Sequence, residues 1–457
     1  MELSREQQHA YNKFILGENV FITGSAGSGK SELIRKIYNR CILTHKKIQV
    51  CALTGCAAIL LNCKAKTIHS WSGIGLGNGS IESLIRRINS NLYKVKEWKE
   101  ISVLVIDEVS MMSMKLFDTL DAIGRAIRGN HNPFGGIQLI FSGDFYQLPP
   151  VGNHSEVDTL RFCFESEDWN CVFKKECQIQ LVKIFRQTDN TYVSILNQIR
   201  EGRIKRSSND LLMTRVGLIP PEGHVITQLY PRRHSVETIN SNKMKELITP
   251  EKIIEIQLCY DLPILSDHDK QKRKKIGKVE IDIELENIKK NLLCDSTLKL
   301  KVGAYVMCIV NMELPEVDLC NGSQGIIIGF NSVNGLPIVR FNNGFEITIN
   351  YYNWTSESIP GIGVSHIPLI LAWAITIHKS QGTTLDMAQI DVGRGIFEAG
   401  QTYVALSRVK SLDGLYLTSF CVNKIIINRK VKEFYEKLTI ASDTIEPIAF
   451  DKFNYIE

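Results

Sequence analysis

Residues Gly24-Ser25-Ala26-Gly27-Ser28-Gly29-Lys30-Ser31 fit the pattern G-x-x-x-x-G-K-[ST] at every position. Glycines at this spacing let successive backbone N–H groups turn toward phosphate oxygens at the positive end of the helix that follows. Lys30 would place a point charge on the β and γ phosphates, and Ser31 would offer a hydroxyl to Mg2+. The alternative is a glycine-rich turn that binds nothing. Against it stand the apolar run Val20–Thr23 before the loop and the helical run Glu32–Arg40 after it.

A second constellation lies at Val103-Leu104-Val105-Ile106-Asp107-Glu108. Four apolar residues predict a buried strand that delivers two carboxylates at its end. Taken alone, these would read equally well as ordinary solvated acids. Beside a phosphate loop they acquire separate tasks: Asp107 to hold the metal, Glu108 to orient and deprotonate an attacking water. The chemistry expected is hydrolysis of a nucleoside triphosphate, with ATP and Mg2+ as the ligands.

The elements that must position these residues are legible as alternation. From Met1 to about Glu176, short apolar runs alternate with helical stretches, as in a parallel sheet covered by helices. Strands are predicted at Val20–Thr23, Ile48–Leu53, Val103–Ile106 and Gln138–Phe141, each ending in a polar or glycine loop, where open α/β sheets place their ligands. Between Asp107 and Gly129 an amphipathic helix is predicted, with Leu116, Leu120, Ile123 and Ile127 on one face and Gly129 as its stop.

A second α/β region begins near Gln178 and is interrupted. Strand-like runs at Ala304–Val310, Gln324–Phe330, Ile338–Phe341 and Phe345–Ile349 are punctuated by Asn321-Gly322, Asn334-Gly335 and Asn343-Gly344, which is hairpin chemistry. They predict a small antiparallel barrel. The lobe resumes at Leu369–Ile377 and finishes with a helix at Arg429–Leu438. The run Lys270–Lys278 holds six Lys or Arg, and reads as a solvated loop before it reads as a DNA contact.

Composition sets the bounds. A chain of 457 residues is too long for one ordinary core and predicts two to four domains. The net charge of +5 and pI near 8.5 are compatible with a polyanionic partner without requiring one. Twelve cysteines are scattered with no C-x-x-C pair, so reduced thiols are expected; Cys163, Cys171 and Cys177 match no common zinc spacing. No apolar run reaches the roughly 18–20 residues of a membrane span. No signal or transit pattern opens the chain. An intracellular setting is expected, whether cytosolic, nuclear or viral.

Several segments in order resemble the superfamily-one DNA helicases, and more narrowly the PIF (petite integration frequency) family, related to RecD. They are LSREQ at Leu3–Gln7, the phosphate loop, LTGCAA at Leu53–Ala58 and TIHSWSGIGLG at Thr67–Gly77. IDEVSMM at Ile106–Met112, NPFGGIQLIFSGDFYQLPPV at Asn132–Val151 and IFRQ at Ile184–Gln187 follow. AWAITIHKSQGTTLD at Ala372–Asp386 and YVALSR at Tyr403–Arg408 complete the set, which spans nearly the whole chain.

The resemblance implies an α/β fold of two RecA-like parallel-sheet lobes, with a small antiparallel β-barrel inserted in the second. The first lobe would cover 1–177, with a small wedge insertion at about 70–98; the second would cover 178–250 and 366–457, and the insertion 251–365. It implies that Gln7 reads the adenine edge, although Ser4-x-x-Gln7 also fits a capping box in which the amide only caps its own helix. Gln147 would sense the γ phosphate, while Asp144 in the same segment reads also as a turn residue. Arg186 and Arg408 would reach that phosphate from the second lobe, a task suited to a planar, permanently charged guanidinium. Gly382 joins the nucleotide-binding set.

Thr54, Thr67, His69 and Trp71, with Thr376, His378, Lys379 and Ser380, match segments lining the single-strand path of the family. Hydroxyls and Lys suit phosphate oxygens, and His or Trp can stack on bases. Trp71 reads equally as a core anchor. The activity implied is 5′-to-3′ translocation on single-stranded DNA with duplex unwinding, by a chain that is monomeric in solution and meets single/double-strand junctions. An ATP-gated DNA translocase or remodelling module that does not unwind would carry the same motifs. A small-molecule kinase would leave IFRQ, TIHKSQG and VALSR without a use.

Overall fold

The computed structural model describes residues 3–443 apart from 55–56, 59–60, 62, 76, 78, 188, 222–225, 264–266, 275, 293, 311, 314–317, 320–322 and 357–358. Helix α1 (Arg5–Ile15) leads into β1 (Val20–Gly24), the phosphate loop and α2 (Lys30–Leu43). Then come β2 (Ile48–Ala52), β3 (Lys66–Thr67), α3 (Ile81–Asn89), α4 (Leu92–Glu100) and β4 (Val103–Asp107). Helix α5 (Met114–Arg128), β5 (Gln138–Gly143) and β6 (Gln178–Leu181) complete the lobe.

The six strands form one parallel sheet in the order β3-β2-β4-β5-β1-β6. The first lobe thus runs through Leu181, past the boundary at 177 expected from the sequence. The edge of β1 would otherwise be unpaired, and β6 fills it. Strands β1, β4 and β5 are almost wholly buried, as continuous apolar runs in a sheet covered on both faces must be.

Helix α5 starts later than Asp107 because a short 3-10 turn at Val109–Met111 intervenes; Ser113 then caps it by accepting from the Leu116 N–H. It stops at Gly129, in the left-handed conformation (φ 60°) that glycine enters without a Cβ penalty. Helices α3 and α4, where the wedge insertion was expected, pack against α5.

Helix α6 (Asn190–Arg200) and strand β7 (Thr227–Tyr230) open the second lobe. The insertion holds an antiparallel sheet of β8 (Tyr305–Cys308), β9 (Gln324–Phe330), β10 (Pro337–Phe341), β11 (Glu346–Thr348) and β12 (Leu369–Leu371), in the order β11-β10-β9-β8-β12. Gly335 and Gly344 take positive φ (68° and 89°) in their turns; Asn321-Gly322 lies outside the described residues. The insertion also holds a three-stranded sheet of Gln257–Cys259, Tyr352–Thr355 and Gly363–His366, and helices Asp267–Lys274 and Lys278–Asn291. The basic run is therefore largely helical, not a loop. Lys and Arg are good helix formers, and no Gly or Pro interrupts the run before Gly277.

The lobe's own sheet is parallel, β13 (Ala374–Thr376)-β7-β14 (Ala388–Val392)-β15 (Leu415–Phe420). The run Leu369–Ile377, read as one strand, is shared: β12 pairs with β8 of the insertion, and β13 pairs with β7. Its almost wholly apolar character, broken only at Thr376, hides this handover. Helix α7 (Gln401–Leu406) and a final helix, α8 (Arg429–Asp443), follow. Helix α8 does not finish the second lobe. Val431, Tyr435 and Leu438 are buried in the aromatic core of the first.

Ten described cysteines are free thiols, and no cluster of metal-ligating side chains occurs among the described residues. Among them no helix is long and apolar enough to cross a membrane.

Candidate active site between the lobes

The phosphate loop bridges the C-terminal end of β1 and the start of α2. Gly24, Gly27 and Gly29 all have positive φ (150°, 82° and 83°). A Cβ at Gly29 would come within 2.5 Å of Gln7 Nε2, and one at Gly27 would collide with the Arg186 side chain. Glycine is required here by close approach as well as by backbone angle. The Lys30 ammonium donates to the Gly24 and Ser25 carbonyls at 2.7 and 3.1 Å, so it bridges the mouth of its own loop. The Ser28 hydroxyl is buried among these residues with no hydrogen-bond partner, as is that of Ser110 beyond Glu108. Buried hydroxyls rarely stay unpaired, and a polyanion with its cation fits such a site.

Gln7 performs the capping task. Its Oε1 accepts from the Ser4 N–H at 2.8 Å, and its backbone N–H donates to Ser4 Oγ at 3.3 Å. Its Nε2 also donates to the Gly29 carbonyl at 3.1 Å, which ties α1 to the loop. The amide thus stands at the edge of the loop as the adenine reading requires, but it is already engaged by protein.

Asp107 ends β4, and Glu108 follows in the left-handed region (φ 56°). That strained backbone aims the carboxylate away from the strand line toward the cleft. Burial pushes both carboxyls up from their ordinary pKa; for Glu108 the charge on Asp107 adds to it and Lys30 opposes it. Ser31 and Asp107 are the residues that would hold Mg2+ between loop and strand.

From the second lobe, Gln381 Nε2 donates to Glu108 Oε2 at 3.1 Å and to Gln147 Oε1 at 3.4 Å. Gly382 follows it with φ 82°. Tyr403 on α7 accepts the Ala26 N–H of the phosphate loop at 2.8 Å. Arg186 lies beside Gly27 and donates to the Ser407 carbonyl at 3.3 Å. Arg408 is 1% exposed. It donates to the carbonyls of Val404, Thr383 and Ser380 and to Ser407 Oγ. Burial, then Arg186, lowers its pKa to about 9. Glu108 is the carboxylate whose charge acts on both arginines.

Asp144, read from sequence also as a turn residue, is wholly buried and holds Arg200 of α6 in a two-pronged ion pair at 2.8 and 2.9 Å. Gln381 and Tyr403 were missed as site residues although each lies inside a quoted motif. Arg200 carries no local signal at all.

The expected nucleic-acid residues divide. Thr376, His378 and Lys379 line a cleft of about 840 Å³ with Arg232, Lys245 and Phe397. There the His378 ring lies parallel to Phe397 (6.1 Å, 17°) and Arg232 sits over Phe397 at 5.2 Å. Thr54, Thr67 and His69 are half-buried on the first lobe; Thr67 caps the Ile68–Ser72 helix through the Ser70 N–H, and Thr54 Oγ1 accepts from Ala57 N–H. Burial lowers the His69 pKa.

Two residues are corrected. Trp71 is 1% exposed and packs on Trp98 at 4.6 Å, so it anchors the core rather than stacking on bases. The amphipathic ring was buried because the α4 face opposite it is also aromatic. Ser380 is fully buried, with its hydroxyl donating to the Ile377 carbonyl, and cannot meet a phosphate.

Residues 2–210 match the family model described as PIF1-like helicase, and residues 284–330 that of the DNA helicase Pif1 2B domain. The chain is 37% identical over 442 residues to the ATP-dependent DNA helicase PIF1 of Danio rerio, covering 96% of this chain and 64% of that relative. The chain thus spans less than two thirds of that relative's length. It is similar to the crystal structure of Pif1 helicase from Candida albicans, at 36% identity with a TM-score of 0.78, covering 96% of this chain and all of that one. It is also similar to Bacteroides Pif1 bound to single-stranded DNA, at 30% identity with a TM-score of 0.68, covering 97% and 98% of the two chains. With two RecA-like parallel sheets closing on one phosphate loop, the chain belongs to the PIF1-like helicase family.

Proposed function

We propose that the chain is an ATP-dependent DNA helicase that hydrolyses ATP between its two lobes, moves 5′-to-3′ along single-stranded DNA and unwinds duplex at single/double-strand junctions. The observation that carries this reading is the Gln381 amide, which reaches from the second lobe to both Glu108 and Gln147 of the first. A hydrolytic carboxylate contacted from the opposite lobe can report closure of the cleft, and closure on ATP followed by opening is what turns hydrolysis into motion.

In this mechanism the loop amides and Lys30 bind the phosphates, and Glu108 takes the proton of the attacking water. Gln147 senses the γ phosphate. Arg186 and Arg408 stabilise the charge that develops on it. Mg2+ held by Ser31 and Asp107 would neutralise phosphate charge. Gln381 follows closely on Thr376, His378 and Lys379, so the strand-contacting segment and the amide that reaches the hydrolytic glutamate share one short stretch of chain. The relatives' names, ATP-dependent DNA helicase and Pif1 bound to single-stranded DNA, support the substrate classes. Monomeric action is part of the proposal.

Unwinding of duplexes bearing either a 5′ or a 3′ single-stranded tail tests it, with Lys30→Ala as the inactive control. Preference for the 3′ tail overturns the direction. ATP-dependent movement along single strands without strand separation would leave a translocase in place of a helicase. ATP turnover indifferent to single-stranded DNA overturns the motor.

A further inference from the structure

Helix α8 follows the last strand of the second lobe, yet its apolar face closes the first. Phe434 stacks on Phe164 at 4.5 Å, Tyr435 on Tyr146 at 4.6 Å, and Lys430 pairs with Glu165. Val431 and Leu438 are buried in the cluster that holds Phe21, Phe141 and Trp169. The helix is therefore a part of the first lobe, and the chain leaves that lobe after Leu181 and returns to it between Phe420 and Arg429.

The Tyr435 hydroxyl ends at the floor of the ATP site. It donates to Asp144 Oδ1 at 3.2 Å and accepts from the Phe145 N–H at 3.1 Å. Thr23 Oγ1 lies 2.5 Å away. A phenol has one proton, here given to Asp144, so Thr23 is the donor of that bond. Thr23 immediately precedes the phosphate loop, and the Gln147 N–H donates to the Asp144 carbonyl at 2.8 Å. One hydroxyl thus joins the strand that delivers the loop to the turn that delivers Gln147. Arg200 completes the cluster from the second lobe: it grips Asp144 with two bonds, and its guanidinium lies over the rings of Tyr146 and Tyr435 at 4.5 and 5.0 Å.

We infer that Tyr435 is a positioning residue for ATP hydrolysis, fixing the turn that carries Gln147 against the phosphate loop and presenting Asp144 to Arg200 as a link to the second lobe. The inference rests on the reading of Gln147 as the γ-phosphate sensor. A misplaced sensor weakens the transition state more than it weakens bound ATP, so the effect belongs in kcat and not in KM.

The test is single-stranded-DNA-stimulated ATP turnover by Tyr435→Phe, which keeps the ring and removes the hydroxyl. The expected result is a fall in kcat of about tenfold with KM for ATP changed by less than about twofold, since the hydroxyl that ties the Gln147 turn to Thr23 is lost while the loop that binds the phosphates is kept. In the Tyr435→Phe/Gln147→Ala double variant, no loss beyond that of Gln147→Ala is expected, because residues acting through one another do not add. Thr23→Val removes only the bond between the loop strand and Tyr435, leaving those to Asp144 and Phe145, and carries the test if Tyr435→Phe does not melt as a folded protein. Wild-type kcat in Tyr435→Phe or in Thr23→Val, or losses that multiply in the double variant, overturn the inference. Wild-type turnover by Gln147→Ala overturns the sensor reading, and this inference falls with it.

Discussion

Gln381 and Glu108 are 273 residues apart in the chain and 3.1 Å apart at the cleft. The bond crosses from one parallel sheet to the other, and Gln147 shares the same amide at 3.4 Å. In the proposed mechanism, the carboxylate that activates the attacking water is thereby held by a side chain of the opposite lobe.

Replacing Gln381 by Ala should therefore slow DNA-stimulated ATP turnover by about 10–100-fold, the scale of losing a group that orients a general base. Fluorescent-nucleotide binding should be little changed, because Lys30 and the loop amides are intact. Turnover equal to wild type would mean that the bond is a resting contact only.

As the proposed general base, Glu108 should also set the pH dependence. A general base works ionised. Burial and then Asp107 hold its pKa above the ordinary carboxylate value, while Lys30 pulls it down. ATP turnover should thus fall on acidification at a pH above the usual carboxylate range. Activity is present above the raised pKa and lost as pH drops through it. Glu108→Gln should keep ATP binding and lose turnover by about 10²–10⁴-fold, with no acid limb of this origin left to measure. An acid limb at the ordinary carboxylate value in the wild-type chain would contradict the burial.

Arg408 is almost wholly buried, with bonds to three carbonyls and one hydroxyl. Arg408→Ala should retain ATP binding and lose turnover by about 10³-fold or more, as arginines that reach a transferring phosphoryl group do. Arg408→Lys should rescue little, since an ammonium cannot reproduce the planar fork. Steady-state turnover of both variants, with nucleotide binding measured alongside, checks this. Full rescue by Lys would reduce the role to charge alone.

How far the sequence carried these conclusions depends on what each residue's signal is made of. The placement of the phosphate loop, Asp107 and Glu108 was legible because local order sets it: glycines before Lys30, four apolar residues before two acids. The barrel strands were legible from hairpin turns at Asn334-Gly335 and Asn343-Gly344. Most of what failed was settled by a partner far away in sequence. Strand β6 joins the first sheet only because β1 has a free edge, and α8 looks like any amphipathic helix until its face meets Phe21 and Trp169. Arg200 is an ordinary helix-end arginine until Asp144 reaches it. Ser380 failed for a local reason instead: in a motif expected to contact the strand, its own hydroxyl turns inward to the Ile377 carbonyl three residues back.

Trp71 gives the sharpest separation between the two readings a sequence allows. Its ring packs on Trp98, the Lys94 ammonium donates to its carbonyl at 3.0 Å, and the Trp98 indole N–H donates to the adjacent Ser72 carbonyl at 3.0 Å. A base-stacking tryptophan must offer a free face, and this one has none. Trp71→Ala should destabilise the chain by about 3–5 kcal/mol, the usual result of emptying a buried aromatic site, and lower the melting temperature. Trp71→Phe fills most of that space. It should cost less stability and leave single-stranded DNA affinity unchanged when measured at fixed salt, because the buried ring offers no face to a base. A loss of affinity by Trp71→Phe without a matching loss of stability would return this residue to the DNA path.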